Sequence, residues 1–302
     1  MNMSIPATTP ERLLLHLDWT VIRRLDGLLQ GDYRTLFYGS GADFADLREY
    51  QPGDDIRYMD WNVTARMDSP YVRQYHEDRE ITAWFLLDLS PSVDFGTTQS
   101  SREKRAVLID FATVFARLLT RHGNRVGAII FGSGVQRVIP ARGGKAQALR
   151  LINDMAKQPR LPHSSFTNLK PFFDGALNSI KRRSLVFVIS DFISEPGWER
   201  SLSLLGRRHE TIAVRLYDPR EKELPDIGMA IMEDAETGAQ LFVDTHDAKF
   251  RKKFFAVAQQ REKNLNEAFR RAGVDMLQLS TEDDLVRSIV KFAKQRRQVR
   301  KN

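Results

Sequence analysis

From Ile81 to Ser280, short apolar runs alternate with longer stretches whose apolar residues recur every three or four positions, so strands and helices are predicted in turn. ITAWFLLD, RVGAIIFG, SLVFVISD and HETIAVRLYD read as buried strands, with VQRVIP as a shorter one. EKRAVLIDFATVFARLLTRHG, GKAQALRLINDMAKQ, NLKPFFDGALNSIKR and GWERSLSLLGRR carry the helical period. MAIMEDAETGAQLFVDT then reads as a hairpin about Glu-Thr-Gly, followed by a helix from about Asp247 to Ala272, a strand GVDMLQLS and a last helix from Asp283. Such alternation implies right-handed crossovers, hence an α/β fold: a doubly wound, mainly parallel sheet with helices on both faces.

The first 80 residues follow another pattern. Thr8 and Thr9 before Pro10 and Glu11 signal a helix start, and Leu13, Leu14, Leu17, Val21, Leu25, Leu28 and Leu29 keep helical spacing up to Gly31. From Gly39 to about Glu80 both charge signs crowd together with Pro-Gly and Asp-Asp turn signals, which predicts short strands and turns. No repeat and no long Pro, Gly or Ser linker separates the parts. The expected division is a helix and charged segment over 1–80, packed on a sheet domain over 81–294, with a basic tail at 295–302.

At 302 residues and 42% hydrophobic content the chain can build a large core. No apolar run reaches the roughly 18 residues of a spanning helix, and the start lacks the basic and small-residue features of a signal peptide, so a cytoplasmic protein is expected. Zero cysteines exclude disulfides, thiol nucleophiles and Cys-ligated zinc. The net charge of +7 suggests an anionic partner, but Lys291, Lys294, Arg296, Arg297, Arg300 and Lys301 supply nearly all of it. The rest of the chain is close to neutral, and a frayed, solvated tail is the plainer reading.

The chemistry concentrates at strand ends. In a doubly wound sheet the parallel strands present their C-terminal ends to one edge, where a crevice opens at the switch in strand order. Asp88 ends one such strand, Asp191 ends another, SLVFVISD, and Ser90 and Ser92 come two and four residues after Asp88. Thr167 precedes a helix in the polar loop LPHSSFTN. Two carboxylates among hydroxyls suit a hard cation such as magnesium, with manganese or calcium as alternatives. Taken singly, each of these residues also reads as an ordinary helix cap.

The combination Asp88-x-Ser90-x-Ser92, Thr167 before a helix and Asp191 after an apolar strand resembles the metal-ion-dependent adhesion site of von Willebrand factor A domains, over about Ile81 to Lys294. The resemblance implies that Ser90, Ser92 and Thr167 contact the metal, that Asp88 and Asp191 support it chiefly through water, and that a partner's carboxylate completes the shell. Pro91 and Val93 depart from the small or Met residues expected there. The preceding DFADLREYQPGDDIRYMDWNVTAR resembles the signature of the bacterial domain-of-unknown-function family fifty-eight. That likeness implies association with MoxR-type AAA+ ATPases in maturing or remodelling other proteins.

The charged segment has its own logic. Asp46, Arg48, Glu49, Asp54, Asp55, Arg57, Asp60 and Arg66 are suited to Arg-carboxylate forks, with Tyr50 and Trp61 as apolar anchors. A structural network holding the segment onto the sheet is the favoured reading. Recognition of a partner through Arg48, Asp55, Arg57, Asp60 and Trp61 is the other.

Enzyme readings are thinner. Haloacid-dehalogenase-like phosphatases place a nucleophile where Asp88 stands, but their general acid two residues later is here Ser90, leaving a magnesium-dependent phosphohydrolase as the runner-up. GGKAQ lacks the parts of a phosphate loop, FGSGVQR lacks the last glycine of a dinucleotide fingerprint, and neither G-x-S-x-G nor H-E-x-x-H occurs. The six histidines are scattered, with only His163 in the loop that carries Thr167. Nucleic-acid binding would rest on the basic tail alone. The sequence therefore points to a non-enzymatic, metal-dependent interaction protein.

Overall fold

The computed structural model describes residues 9–28, 46–67, 69–74, 81–94, 102–161, 167–234 and 237–299. Helix α1 (Pro10–Leu17) passes through a π-helical stretch (Asp18–Ile22) into α2 (Arg23–Leu28). Thr9 caps its start, accepting from Arg12 N and Leu13 N. The charged segment forms β1 (Asp46–Glu49), a 3-10 turn (Ile56–Tyr58), α3 (Trp61–Met67) and β2 (Tyr71–Gln74), with β1 and β2 antiparallel. Strands and turns were expected here, and α3 is the departure. Its Trp, Val and Thr favour strands, but the Asp60 side chain accepts from Asn62 N and Val63 N at 3.0 and 3.2 Å, and this cap starts the helix.

Beyond it the order is β3 (Thr82–Asp88), α4 (Lys104–Arg121), β4 (Arg125–Phe131), β5 (Val135–Arg142), α5 (Lys145–Ala156), α6 (Lys170–Ser179), β6 (Leu185–Ser190), α7 (Glu199–Arg208) and β7 (Glu210–Tyr217). A hairpin, β8 (Met229–Glu233) and β9 (Gln240–Asp244), precedes α8 (Ala248–Ala272), β10 (Asp275–Ser280) and α9 (Leu285–Val299). Asp247 caps α8 at its start, and Gly273, at φ 66, ends it in the left-handed conformation that glycine adopts without strain.

Six strands form the central sheet in the order β10-β7-β6-β3-β4-β5, parallel except for β5, which runs against β4. Alternation along each strand divides the core. Ala83, Phe85, Leu87 and Phe187 face α4, α5, α9 and the opening helix, whereas Trp84, Leu86, Val186 and Val188 face α6, α7 and α8. Phe187 lies against Phe85, Phe111 and Phe115, with ring centroids 5.2 to 5.7 Å away. Leu14, Leu17, Ile22 and Leu25 are buried in the first of these cores, so the N-terminal helices are built into the sheet domain.

At the other end of the chain, a frayed tail was the plainer expectation, yet α9 continues to Val299. Arg296 is buried there and pairs with Asp275 and Glu210, which gives that part of the basic run a structural task.

The chain runs from β3 outward to β5 and then returns to β6 on the other side of β3. Helix α4, after β3, covers one face and α7, after β6, covers the other, so the crevice at the switch point opens beyond the C-terminal ends of β3 and β6.

Candidate functional site at the strand rim

Strand register sets the site. Leu87 lies beside Ile189, which puts Asp88 next to Ser190, and the Ser190 hydroxyl donates to Asp88 Oδ2 at 2.6 Å. Ser90 N donates to Asp88 Oδ1 at 3.0 Å, so both carboxylate oxygens are engaged. The 3-10 turn Pro91–Asp94 folds Ser92 back, leaving its Oγ 3.1 Å from Ser90 Oγ and donating to Asp191 Oδ1 at 3.3 Å. Two residues 99 positions apart thus meet in one buried cluster.

Asp191 is aimed by a strained turn. Phe192 has φ 52, a conformation that costs a bulky residue on the order of 1–3 kcal/mol. Its ring is held between Trp198 and Phe269, and its N–H donates to Ser190 Oγ at 2.8 Å. The turn lets Ile193 N donate to Asp191 Oδ1 at 3.0 Å.

A cation closes the other side. Lys104, 1% exposed, donates from Nζ to Asp191 Oδ2 at 2.7 Å and to Glu221 Oε1 at 2.6 Å. Glu221 sits on a turn after β7 that is fixed by Asp218, which accepts from Arg220 N and from the Thr281 hydroxyl. Next to it, Lys222 and the buried Arg215 both reach Glu262 of α8, at 3.4 and 3.0 Å.

Burial and the nearby Asp191 charge push Asp88 up to about 6, against the pull of its Ser190 and Ser90 hydrogen bonds. Burial would also raise Asp191, but Lys104 and Arg215 together outweigh it and hold Asp191 below its usual range. For Lys104 burial works to lower the pKa and is overcome by Asp191 and Glu221, so the ammonium stays charged.

Of the five residues expected at a metal, Asp88, Ser90, Ser92 and Asp191 are joined directly by hydrogen bonds. Thr167 is buried, and its carbonyl accepts from Glu195 N at 3.0 Å while Leu169 N donates to Ser194 Oγ, which ties its loop to the one carrying Asp191. His163 lies outside the described residues. The donor chemistry suits a hard cation: the hydroxyls of Ser90 and Ser92 stand 3.1 Å apart, with the carboxylates of Asp88 and Asp191 hydrogen-bonded around them.

The signature segment is organised differently. Arg48 forks onto Asp54 at 2.7 and 2.6 Å, and Arg57 pairs with Asp55 at 2.7 Å while Asp55 also accepts from Arg57 N. Both of these forks join residues of the segment itself. Asp60 is buried as the α3 cap. Trp61, expected as an apolar anchor, is instead 65% exposed.

Sequence reading missed Ser190, Phe192, Lys104 and Glu221. Ser190 is recoverable by aligning the ends of the two strands. Lys104 and Arg105 also left a signal, because two basic residues in the first turn of a helix oppose its dipole and need carboxylates to hold them. Arg105 has Asp94 at 3.0 Å, and Lys104 has its two acids.

The sheet order and the two helical layers give an α/β fold of the von Willebrand factor A-like class. The family model described as protein of unknown function DUF58 matches residues 46–264, and the chain belongs to that family. Uncharacterized protein Rv1480 of Mycobacterium tuberculosis is 36% identical over 281 residues, covering 93% of this chain and 88% of its own. Uncharacterized protein MAV169 of Mycobacterium avium is 35% identical over 159 residues, 53% of this chain and 94% of its own. Among solved structures, BatB from Bacteroides thetaiotaomicron aligns with a TM-score of 0.45 at 11% identity, over 72% of this chain and 99% of that one. An aerotolerance-related membrane protein from Bacteroides fragilis gives 0.47 at 12%, over 72% and 98%. The von Willebrand factor domain of the pilus tip protein Mfa5 from Porphyromonas gingivalis gives 0.37 at 11%, over 72% and 94%. Among the described residues no helix is long and apolar enough to cross a membrane.

Proposed function

We propose that this chain is a non-enzymatic interaction protein whose rim holds a divalent cation, magnesium in the first instance, and uses it to capture an acidic side chain of a protein partner. The observation that carries the reading is the buried cluster of Asp88, Ser90, Ser92 and Asp191, drawn from two distant strand ends into hydrogen-bond contact. Hydroxyl oxygens would touch the ion, with Thr167 as the further candidate, and the two acids would support it. An ion held mostly by neutral oxygens keeps its positive charge and attracts an outside carboxylate. The family resemblance makes a MoxR-type AAA+ ATPase, or its client, the partner of choice, and a cytoplasmic site of action goes with that choice.

Phosphohydrolysis is weaker as a reading. Ser90 cannot serve as a general acid near neutral pH, and both oxygens of Asp88 already accept hydrogen bonds that hold the carboxylate in place. The test is affinity purification of the full chain in magnesium, in EDTA and as Asp88→Ala. A protein retained only by the wild type in magnesium supports the proposal, and the same set retained in all three contradicts it.

A further inference from the structure

We propose that Lys104 is a built-in counter-cation that sets how tightly the rim holds a divalent ion. The inference rests on the metal-binding reading above and adds a residue outside the expected ligand set.

The geometry divides Asp191 between two sides. Its Oδ1 accepts from the Ser92 hydroxyl and from Ile193 N, whereas Oδ2 accepts from the Lys104 ammonium at 2.7 Å. An ion among the serine oxygens and the ammonium would therefore face opposite oxygens of one carboxylate. Asp191 is 0% and Lys104 1% exposed, so little water screens the repulsion between them. Lys104 does not need the ion to be satisfied, because Glu221 supplies a second carboxylate at 2.6 Å. That Glu221 keeps its Oε2 buried with no hydrogen-bond partner among the described residues, so its remaining charge also bears on the rim. Lys104 thus cancels part of the negative charge that would hold a divalent ion, and Glu221 restores some of it.

The two residues should then act in opposite directions. Lys104→Met removes a positive charge beside Asp191 and should tighten binding about tenfold or more, the scale on which one adjacent charge alters a neighbouring site. Glu221→Gln removes one of the two carboxylates that pair with Lys104 and should weaken binding about threefold, less because Lys104 bonds to Asp191 as well as to Glu221. A residue that merely packs the rim would not produce opposite signs.

The experiment is direct titration of manganese into the full-length protein and each variant, following free ion by electron paramagnetic resonance, with circular dichroism to confirm folding. Tighter binding by Lys104→Met with weaker binding by Glu221→Gln supports the proposal. Manganese binding that is equal in the wild type and both variants overturns it and leaves the metal reading standing. Binding by Lys104→Met with none by the wild type supports it while contradicting a metal-dependent wild type. No binding by any of them overturns both. Should Lys104→Met not fold, Lys104→Gln takes its place and Glu221→Gln still decides the sign.

Discussion

The rim and the signature segment are both dense in charge, yet they use it in opposite ways. In the segment, Arg48 pairs with Asp54 six positions away and Arg57 with Asp55 two positions away; Arg57 is 87% exposed, and the other three side chains are partly buried but still reach water. At the rim, Lys104 meets Asp191 across 87 positions and Glu221 across 117, almost entirely out of water. Local, solvated pairs shape a loop and contribute little to stability, whereas a buried pair is costly to assemble and far more costly to break. Burial therefore separates the two regions more sharply than charge density does.

The largest expected effect is at Lys104. Lys104→Ala leaves Asp191 and Glu221 without their shared cation, and breaking such a buried pair costs about 3–5 kcal/mol, which chemical denaturation will read as a large drop in midpoint. A smaller effect concerns pH. A carboxyl whose folded pKa lies above its unfolded value keeps a proton in the native state that the unfolded chain has already released, so the native state loses ground as pH rises through that interval. For Asp88, pushed up to about 6 from an ordinary value of 3.8, the loss runs between those two values and is complete above them. In EDTA, Asp88→Asn should remove this component, so the gap between the two stability curves narrows toward pH 4 and widens toward pH 7. A gap that stays constant over that range contradicts the assignment.

Within the segment the effects shrink. Asp60→Ala removes the α3 cap and should cost about 1 kcal/mol, measured by urea unfolding. Arg57→Ala breaks an exposed fork and should leave the melting temperature unchanged. A loss of partner capture by Arg57→Ala at unchanged stability would assign the segment a recognition role, and an unfolded Arg57→Ala protein would overturn the contrast drawn here.

Much of the fold was legible because period alone distinguishes a buried strand from an amphipathic helix. ITAWFLLD and SLVFVISD became β3 and β6, and their ends brought Asp88 and Asp191 to one rim. The short helix Trp61–Met67 was not legible, since its strand-favouring side chains were outweighed by one aspartate cap. Lys104 was hidden for a different reason: a lysine near a helix start ordinarily reads as solvated, and only the packing of the turn after β7 shows that its head is buried. The left-handed turn at Phe192 was equally invisible, because an aromatic residue is a poor candidate for positive φ until the aromatic pocket that holds it is known.

The most direct test of the account is manganese binding to the wild-type chain and to Ser90→Ala/Ser92→Ala, followed by electron paramagnetic resonance at fixed ionic strength. One saturable site is expected in the wild type, and it should disappear in the folded double variant. Equal binding by both proteins, or a folded wild type that takes up no manganese at millimolar concentration, would contradict it.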